Sequence, residues 1–282
     1  MSGKIVCVAD TGEQFQDQVE RWFACLTRLA GVAPRDLITV FANTSSPPDW
    51  AASLLRAGMG IDFVDAFDPR SPHCNKISGL LKVIGTGAGP IVLTDCDLAF
   101  LRDPRSFPGR SSAVSGKPVD FPNPPLRILD AILKEAGLPA QRKVRLSGRP
   151  WERTYLGNFN GGMIVFGRSI ASRLVHRWAE RAKWLLDRSA LLEGWAVHVD
   201  QVSLFLAIID EKIEMVPISS RFNYPTQARG SLFPVTPAAL HYHHAVDALG
   251  DLKPTGSRAI DAQISLVNRT MSETRAAEGK AH

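Results

Sequence analysis

Cysteine is scarce in this chain and unpatterned. Cys7, Cys25, Cys74 and Cys96 are the only four, with neither Cys-x-x-Cys spacing nor a disulfide framework. Cys7 lies in a strand pattern and Cys25 on an apolar helix face, so both read as reduced core thiols. No apolar run reaches the ~20 residues of a membrane span. The first residues run straight into an apolar strand, Lys4 to Ala9, without a charged stretch and an apolar leader. These absences give the expectation of a cytoplasmic protein with no transmembrane segment. Lys and Arg are spread rather than blocked, and aromatics do not interleave with them as a single-strand binder requires, so no nucleic-acid partner is expected. There is no internal repeat.

What the chain does have is core material. Of 282 residues, 45% are apolar and 22% charged, enough for one large α/β domain or two small ones. A net charge of +5 suits phosphate-bearing small molecules or acidic surfaces.

The first half alternates short apolar runs with helical patterns. Lys4–Ala9, Leu37–Ala42 and Ile61–Val64 read as strands. Phe15, Val19, Trp22, Phe23, Leu26 and Leu29 recur at helical spacing, with Gly31 as the residue that ends that helix. Trp50–Ala57 and Asn75–Ile84 are further helix patterns, and Ile91–Thr94 is a fourth strand. This order predicts a mostly parallel sheet covered on both faces.

Residues 102–158 break the pattern. They are rich in Pro, Gly, Ser and Arg and contain one helix, entered at Asn123-Pro124 and left at Gly137, as expected of a binding loop or lid. Met163–Phe166 then reads as a strand, Ser169–Leu186 as an amphipathic helix, Asp200 as a helix start and Ile213–Ile218 as a strand. From Thr255 the chain turns polar and aperiodic, the expectation being a polar tail over 255–282 whose final ~15–25 residues are loosely ordered.

The most informative segment is Ile-Val-Leu-Thr-Asp-Cys-Asp at 91–97. Side chains two apart on an extended chain point to one side, so Asp95 and Asp97 converge at a strand's carboxyl end. Carboxylates held that close repel unless a proton or a cation lies between them. A divalent cation with oxygen ligands is the usual resolution, and that sheet edge is where α/β proteins bind ligands. The plainer alternative is that Asp-x-Asp caps the strand in a solvated turn.

Three more patterns come after it in order: Asn158-Phe159-Asn160-Gly161-Gly162, then Asp200-Gln201, then His241-Tyr242-His243-His244 with Lys253-Pro254 after it. Together, over residues 4–254, they resemble the nucleotide-sugar glycosyltransferases of the GT-A fold. The nearest kin are the retaining family of glycogenin and the lipopolysaccharide galactosyltransferases, family eight. That family reads Asp-x-Asp, Phe-Asn-Ser-Gly, Asp-Gln, and His-Tyr/Phe-x-Gly followed by Lys-Pro-Trp. This chain has Gly161 for Ser, His244 for Gly and Thr255 for Trp, and a longer gap between His241 and Lys253.

The resemblance implies a single GT-A-like domain over 1–254, a Rossmann-like mixed sheet with helices on both faces. Residues 102–158 would then be an acceptor-side insertion. It implies transfer of a sugar from a uridine diphosphate sugar to an unknown carbohydrate, lipid or protein acceptor, with retention. Asp95, Asp97 and His241 would hold Mn2+ or Mg2+, the imidazole tilting the choice towards manganese. Asp10, Lys76, Asp95, Asn160, Gly161 and Lys253 would bind the donor, with Asp200 and Gln201 at the reacting carbon.

Other readings of the residues stay open. Asp200 can be an N-cap, Asn160-Gly161-Gly162 a turn, Asp10 a turn cap, and Lys76 and Lys253 solvated lysines. His241 and His243 alternate and share a face if extended, so a zinc site with Cys74 and His73 is a rival. A dehalogenase-type phosphatase also uses Asp-x-Asp, but on its first strand, whereas three strand patterns precede Asp95 here. A catalytically silent nucleotide-sugar-binding module is the rival from outside enzymology.

Overall fold

The computed structural model describes residues 3–87, 89–107, 109–227 and 236–278. Strand β1 (Lys4–Ala9) leads through the Asp10 turn into helix α1 (Glu13–Ala24), which ends in a wider turn over Cys25–Leu29. Gly31 comes next with φ +70°, the left-handed value that suits glycine after a helix. Then come β2 (Leu37–Ala42), α2 (Ala52–Arg56), β3 (Gly60–Val64), α3 (Asn75–Val83), β4 (Ile91–Thr94) and β5 (Leu98–Phe100). Each strand expected here lies within a residue of its place because each is a short run of aliphatic residues stopped by turn formers.

Between β5 and the next strands the structure departs from expectation. Residues 102–158 hold not only helix α4 (Leu126–Glu135) but also β6 (Ala113–Pro118), a buried strand of the main sheet, and the hairpin β7 (Lys143–Arg145) and β8 (Arg153–Tyr155). The segment is therefore not wholly outside the core. Its strand was obscured because Ser115, Gly116, Lys117 and Pro118 have poor strand propensity, which tertiary pairing overrides. Lys117, 2% exposed, is tolerated because its ammonium donates to Asp120 Oδ2 at 2.6 Å and to the Asn223 carbonyl at 2.7 Å.

The remaining elements are β9 (Phe159–Phe166), α5 (Ala171–Leu186), α6 (Val199–Asp210), β10 (Glu214–Pro217), β11 (Tyr224–Pro225), β12 (Ala239–His241) and α7 (Arg258–Glu278). The last corrects the expected tail: its described part is one long helix. Ile260, Ile264, Val267 and Met271, spaced 4, 3 and 4 apart, are buried along one side, and the first three pack with Cys25, Tyr224, Leu240, Tyr242 and Leu252. Burying each such side chain contributes about 1.5–3 kcal/mol, which holds a helix whose other faces are polar.

Among the described residues, seven strands form the main sheet in the order β10-β6-β9-β4-β1-β2-β3. Every neighbouring pair is parallel except those of β9, which runs antiparallel to both β4 and β6. This one reversed strand delivers its beginning, Asn160 to Gly162, to the edge where β4 delivers its end. Thr94 is opposite Met163, and Asp95 N donates to Gly162 O at 2.9 Å.

A second sheet, β11-β12-β5, closes the long-range link. β12 runs antiparallel to β5 with His241 opposite Leu98, and the Tyr242 amide donates to the Asp97 carbonyl at 3.2 Å. Helices cover both faces of the main sheet. One core joins α3, α4, α5 and α6 to the sheet, with Phe166 stacked on Trp178 at 6.2 Å; the other seats Trp22 of α1, whose indole donates to Thr94 Oγ1 at 2.8 Å.

The stretch Ser189–Asp210 is long and apolar enough, by length and composition alone, to cross a membrane. Its backbone is non-helical at Glu193 and Trp195, and α6 lies in the core against α5 and β9. It serves here as a core element.

Candidate active site

Two groups of side chains meet at the carboxyl edge of β4. The first centres on Lys76, at the start of α3. That helix packs so closely on β1 that a Cβ at Gly79 would overlap Val8 Cγ2. Lys76 Nζ lies 2.5 Å from Asp95 Oδ1, 3.6 Å from Asp200 Oδ2 and 3.4 Å from the Gly161 carbonyl. Burial by itself lowers the basicity of this ammonium, but Asp95 and Asp200 outweigh it and the net shift is upward. Lys76 stays charged and binds three motifs together.

Asp200 is the second residue of α6 and makes no side-chain cap bond, so the capping alternative does not describe it. It is 3% exposed, and its Oδ1 has no hydrogen-bond partner among the described residues. Its carbonyl accepts from the Trp178 indole at 2.9 Å, which ties the helix start to α5. Next to it, Gln201 Nε2 donates to His198 Nδ1 at 2.9 Å. An amide nitrogen only donates, so Nδ1 accepts and the His198 proton sits on Nε2. Burial lowers the His198 pKa, consistent with a neutral ring. A Cβ on Gly161 would stand 3.1 Å from Lys76 Nζ and 3.4 Å from Gln201 Cγ, so this glycine lies in the midst of the group.

The second group is Asp97, His241 and His243. His241 Nε2 is 3.2 Å from Asp97 Oδ1, which though buried has no hydrogen-bond partner among the described residues. Burial alone would raise the Asp97 pKa; when the His241 and His243 rings are protonated their charge outweighs burial and brings the carboxyl down to about 2. Burial and then His241 lower the His243 pKa.

The tautomer of His241 is set by a chain of bonds. The Gly162 amide donates to Asn160 Oδ1 at 2.9 Å, so the Asn223 atom 2.9 Å from that oxygen is the donor Nδ2. Asn223 Oδ1 then faces His241 Nδ1 at 2.8 Å, and Nδ1 carries the proton. In a neutral ring Nε2 presents its lone pair towards a carboxylate oxygen, an arrangement that repels until a proton or cation joins it. A buried orphan oxygen beside an imidazole nitrogen with a preset tautomer fits a divalent cation. The ligand atoms of Asp97, His241 and His243 lie within 4.8 Å of one another.

The expected site residues thus divide between these groups. Lys76, Asp95, Gly161, Asp200 and Gln201 are together; Asp97 and His241 are together; Asn160 links the groups through Asn223. Asp95 reaches Lys76 and is outside the cluster formed by Asp97 and the two histidines. Asp10 Oδ1 accepts from the Thr11 amide at 2.7 Å, the turn-capping arrangement. Lys253 has an exposed side chain, and its amide donates to Ala245 O at 2.9 Å.

His243 does face His241, but not through strand alternation. β12 stops at His241, and His243 turns with φ +51° to lay its ring 3.8 Å from that of His241, while His244 is exposed. Asn223, His198 and Arg21 were invisible to sequence reasoning. Arg21, 1% exposed, donates to the Tyr242 hydroxyl at 2.9 Å and to the Gly250 carbonyl, fastening the loop beyond His241 to α1. No local signal marked Arg21, since Asp17 and Gln18 lie one turn before it on the same helix face.

A family model described as the Rhodobacterales glycosyltransferase domain matches residues 21–211. No curated protein matches the chain. Among solved structures, the galactosyltransferase LgtC in complex with donor and acceptor sugar analogues is 14% identical with a TM-score of 0.57, covering 96% of this chain and 95% of that one. Mouse xyloside xylosyltransferase 1 is 12% identical with a TM-score of 0.51, covering 86% and 98%. The glycosyltransferase GlyE of Streptococcus pneumoniae TIGR4 is 14% identical with a TM-score of 0.54, covering 98% of this chain and 65% of its own. At such identities the likeness is one of fold, and it is the GT-A fold with its mixed, mostly parallel sheet.

Proposed function

The chain belongs to the Rhodobacterales glycosyltransferase domain family, and from that premise we propose that it moves a sugar from a uridine diphosphate sugar to an acceptor with retention of configuration, using a divalent cation held by Asp97 and His241, with Asp95 paired to Lys76 at the same edge. The single observation that carries this reading is the meeting of Asp-x-Asp, Asn160-Gly161, Asp200-Gln201 and His241 at one sheet edge.

Breaking a sugar–diphosphate bond requires stabilising the negative charge that grows on the leaving diphosphate. A bound divalent cation supplies that charge without proton transfer. Lys76, kept protonated by its two carboxylates, adds a fixed cation at the same edge. Asp200 offers its unpartnered oxygen to donor hydroxyls. Gln201, whose amide nitrogen is engaged by His198, supports positive charge at the sugar carbon with its oxygen. Both acceptor positions of Asn160 Oδ1 are taken inside the protein, so its Nδ2 is the atom left to read a sugar hydroxyl. Residues 102–158 are proposed to face the acceptor; α4 and the β7–β8 hairpin, which lie outside the main sheet, are the parts of that segment available for it. Four buried, unpaired thiols support a reducing compartment.

The test is hydrolysis and transfer with a panel of nucleotide sugars, with and without manganese, then NMR of the anomeric proton. Manganese-dependent turnover of uridine diphosphate sugars with a retained anomer is expected. Equal calorimetric binding of uridine, guanosine and adenosine diphosphates would remove the donor assignment, and an inverted product would remove retention.

A further inference from the structure

We infer that the cation centre of this chain has two imidazole ligands, His243 coordinating beside His241 and Asp97. The inference rests on the proposed cation site and deepens it, because the pattern this chain resembles carries one histidine there.

Three observations converge. Ligand atoms of Asp97, His241 and His243 lie within 4.8 Å of one another, the spread that donors on opposite sides of one ion at roughly 2.0–2.3 Å would need. Among the described residues, His243 Nδ1 is buried without a hydrogen-bond partner, as is Asp97 Oδ1. A buried polar atom left unpaired is unfavourable, and here the two belong to residues whose ligand atoms cluster. Finally, His243 takes φ +51°, a conformation rare for a residue with a β-carbon, and this turn is what brings its ring against that of His241 at 3.8 Å and 34°. His244, the next residue, is exposed and takes no part.

Two nitrogens in place of one change which metal is preferred. Magnesium favours oxygen donors and holds its water tightly, whereas manganese and the later divalent metals accept imidazole. This chain should therefore discriminate against magnesium more strongly than a one-histidine site.

Pulsed electron paramagnetic resonance of the manganese-loaded full chain, with 15N-labelled histidine, counts coordinated imidazoles directly. Two are expected in the unaltered protein and one in His243→Asn, a replacement that keeps the left-handed backbone accessible. Calorimetry should show manganese affinity falling at least roughly tenfold in that variant, with little change for magnesium. His244→Asn should bind manganese as the unaltered chain does. A single coordinated imidazole in the unaltered protein, with affinity lost in His241→Ala but kept in His243→Asn, overturns the inference and leaves the cation site standing. Unchanged manganese affinity in both variants overturns the cation site itself.

Discussion

Replacing Asn223 by alanine removes the acceptor for the His241 Nδ1 proton while leaving every direct donor to the cation in place. The imidazole is then free to exchange tautomers and to rotate. Loss of such an outer partner costs about 10- to 100-fold in metal affinity. The expected outcome for Asn223→Ala is a loss of that size for manganese by calorimetry. Gly162→Ala should act through the same pair, since its Cβ would stand 2.8 Å from both Asn223 Nδ2 and His241 Cε1. Gly161→Ala is the contrast. Its Cβ meets the flexible end of Lys76 at 3.1 Å, so manganese affinity should hold.

The cysteines give a second prediction at this scale. Burial pushes the Cys7, Cys25 and Cys74 thiols up to about 12, and raises Cys96 well above its ordinary value. The native protein should not react with a thiol reagent at pH 8, and all four should react in urea. The sign of the pH effect comes from linkage. The folded state keeps these protons while the unfolded chain releases them near ~8.5, so the contribution is complete below that pH and is lost as the pH rises towards about 12. The urea midpoint should therefore fall between pH 8 and pH 10.5. An unchanged midpoint would mean the thiols are not protected by the fold.

Among the elements, α7 and β12 depend on each other. α7 covers Leu240 and Tyr242, which flank His241 in sequence, and Leu252 in the loop beyond. Ile264 sits in the middle of this contact at 3% exposed. Ile264→Ala should destabilise by about 2–4 kcal/mol in urea unfolding, the range for a truncated buried aliphatic side chain. Because the same contact seats the loop held by Arg21, manganese binding should weaken in this variant as well. A stability loss with metal affinity intact would show that α7 supports the fold but not the site.

For the whole molecule the reversed strand β9 is the organising feature. Six parallel strands send their carboxyl ends to one edge, and among the described strands of this sheet β9 alone sends its beginning there, which is how Gly161 reaches Lys76 and Gly162 reaches Asp95. The site is therefore spread over β4, β9, β12, α3 and α6, and a ligand that bridges them binds only the folded chain. At a hundred times the dissociation constant such a ligand adds about 2.7 kcal/mol. Manganese with uridine diphosphate should raise the thermal midpoint by roughly 5–10 °C, the scale for a domain of this size, and a chelator should reverse it. Neither component alone should give the full shift.

Local pattern determined much of this. Strands β1, β2 and β4 and helices α1, α3 and α5 were legible because each buries one face whose spacing is written in neighbouring residues. Asp95 and Asp97 were legible as a pair at a strand end, and the order of four short motifs pointed to the fold and the class of chemistry. The apolar spacing of α7 was also present in Ile260, Ile264, Val267 and Met271, but a polar composition obscured it. Tertiary structure alone decided the rest. β6 is a strand because partners on both sides impose it on a sequence of poor propensity. Asp95 meets Lys76 while Asp97 meets His241, although the two carboxylates are two residues apart, because one partner is carried by α3 and the other by β12. The tautomer of His241 depends on Asn223, a residue distant in sequence, through hydrogen bonds that exist only after β11, β12 and β9 have assembled. Periodicity reports which face of an element is buried; it carries no information on which distant side chain will be waiting there.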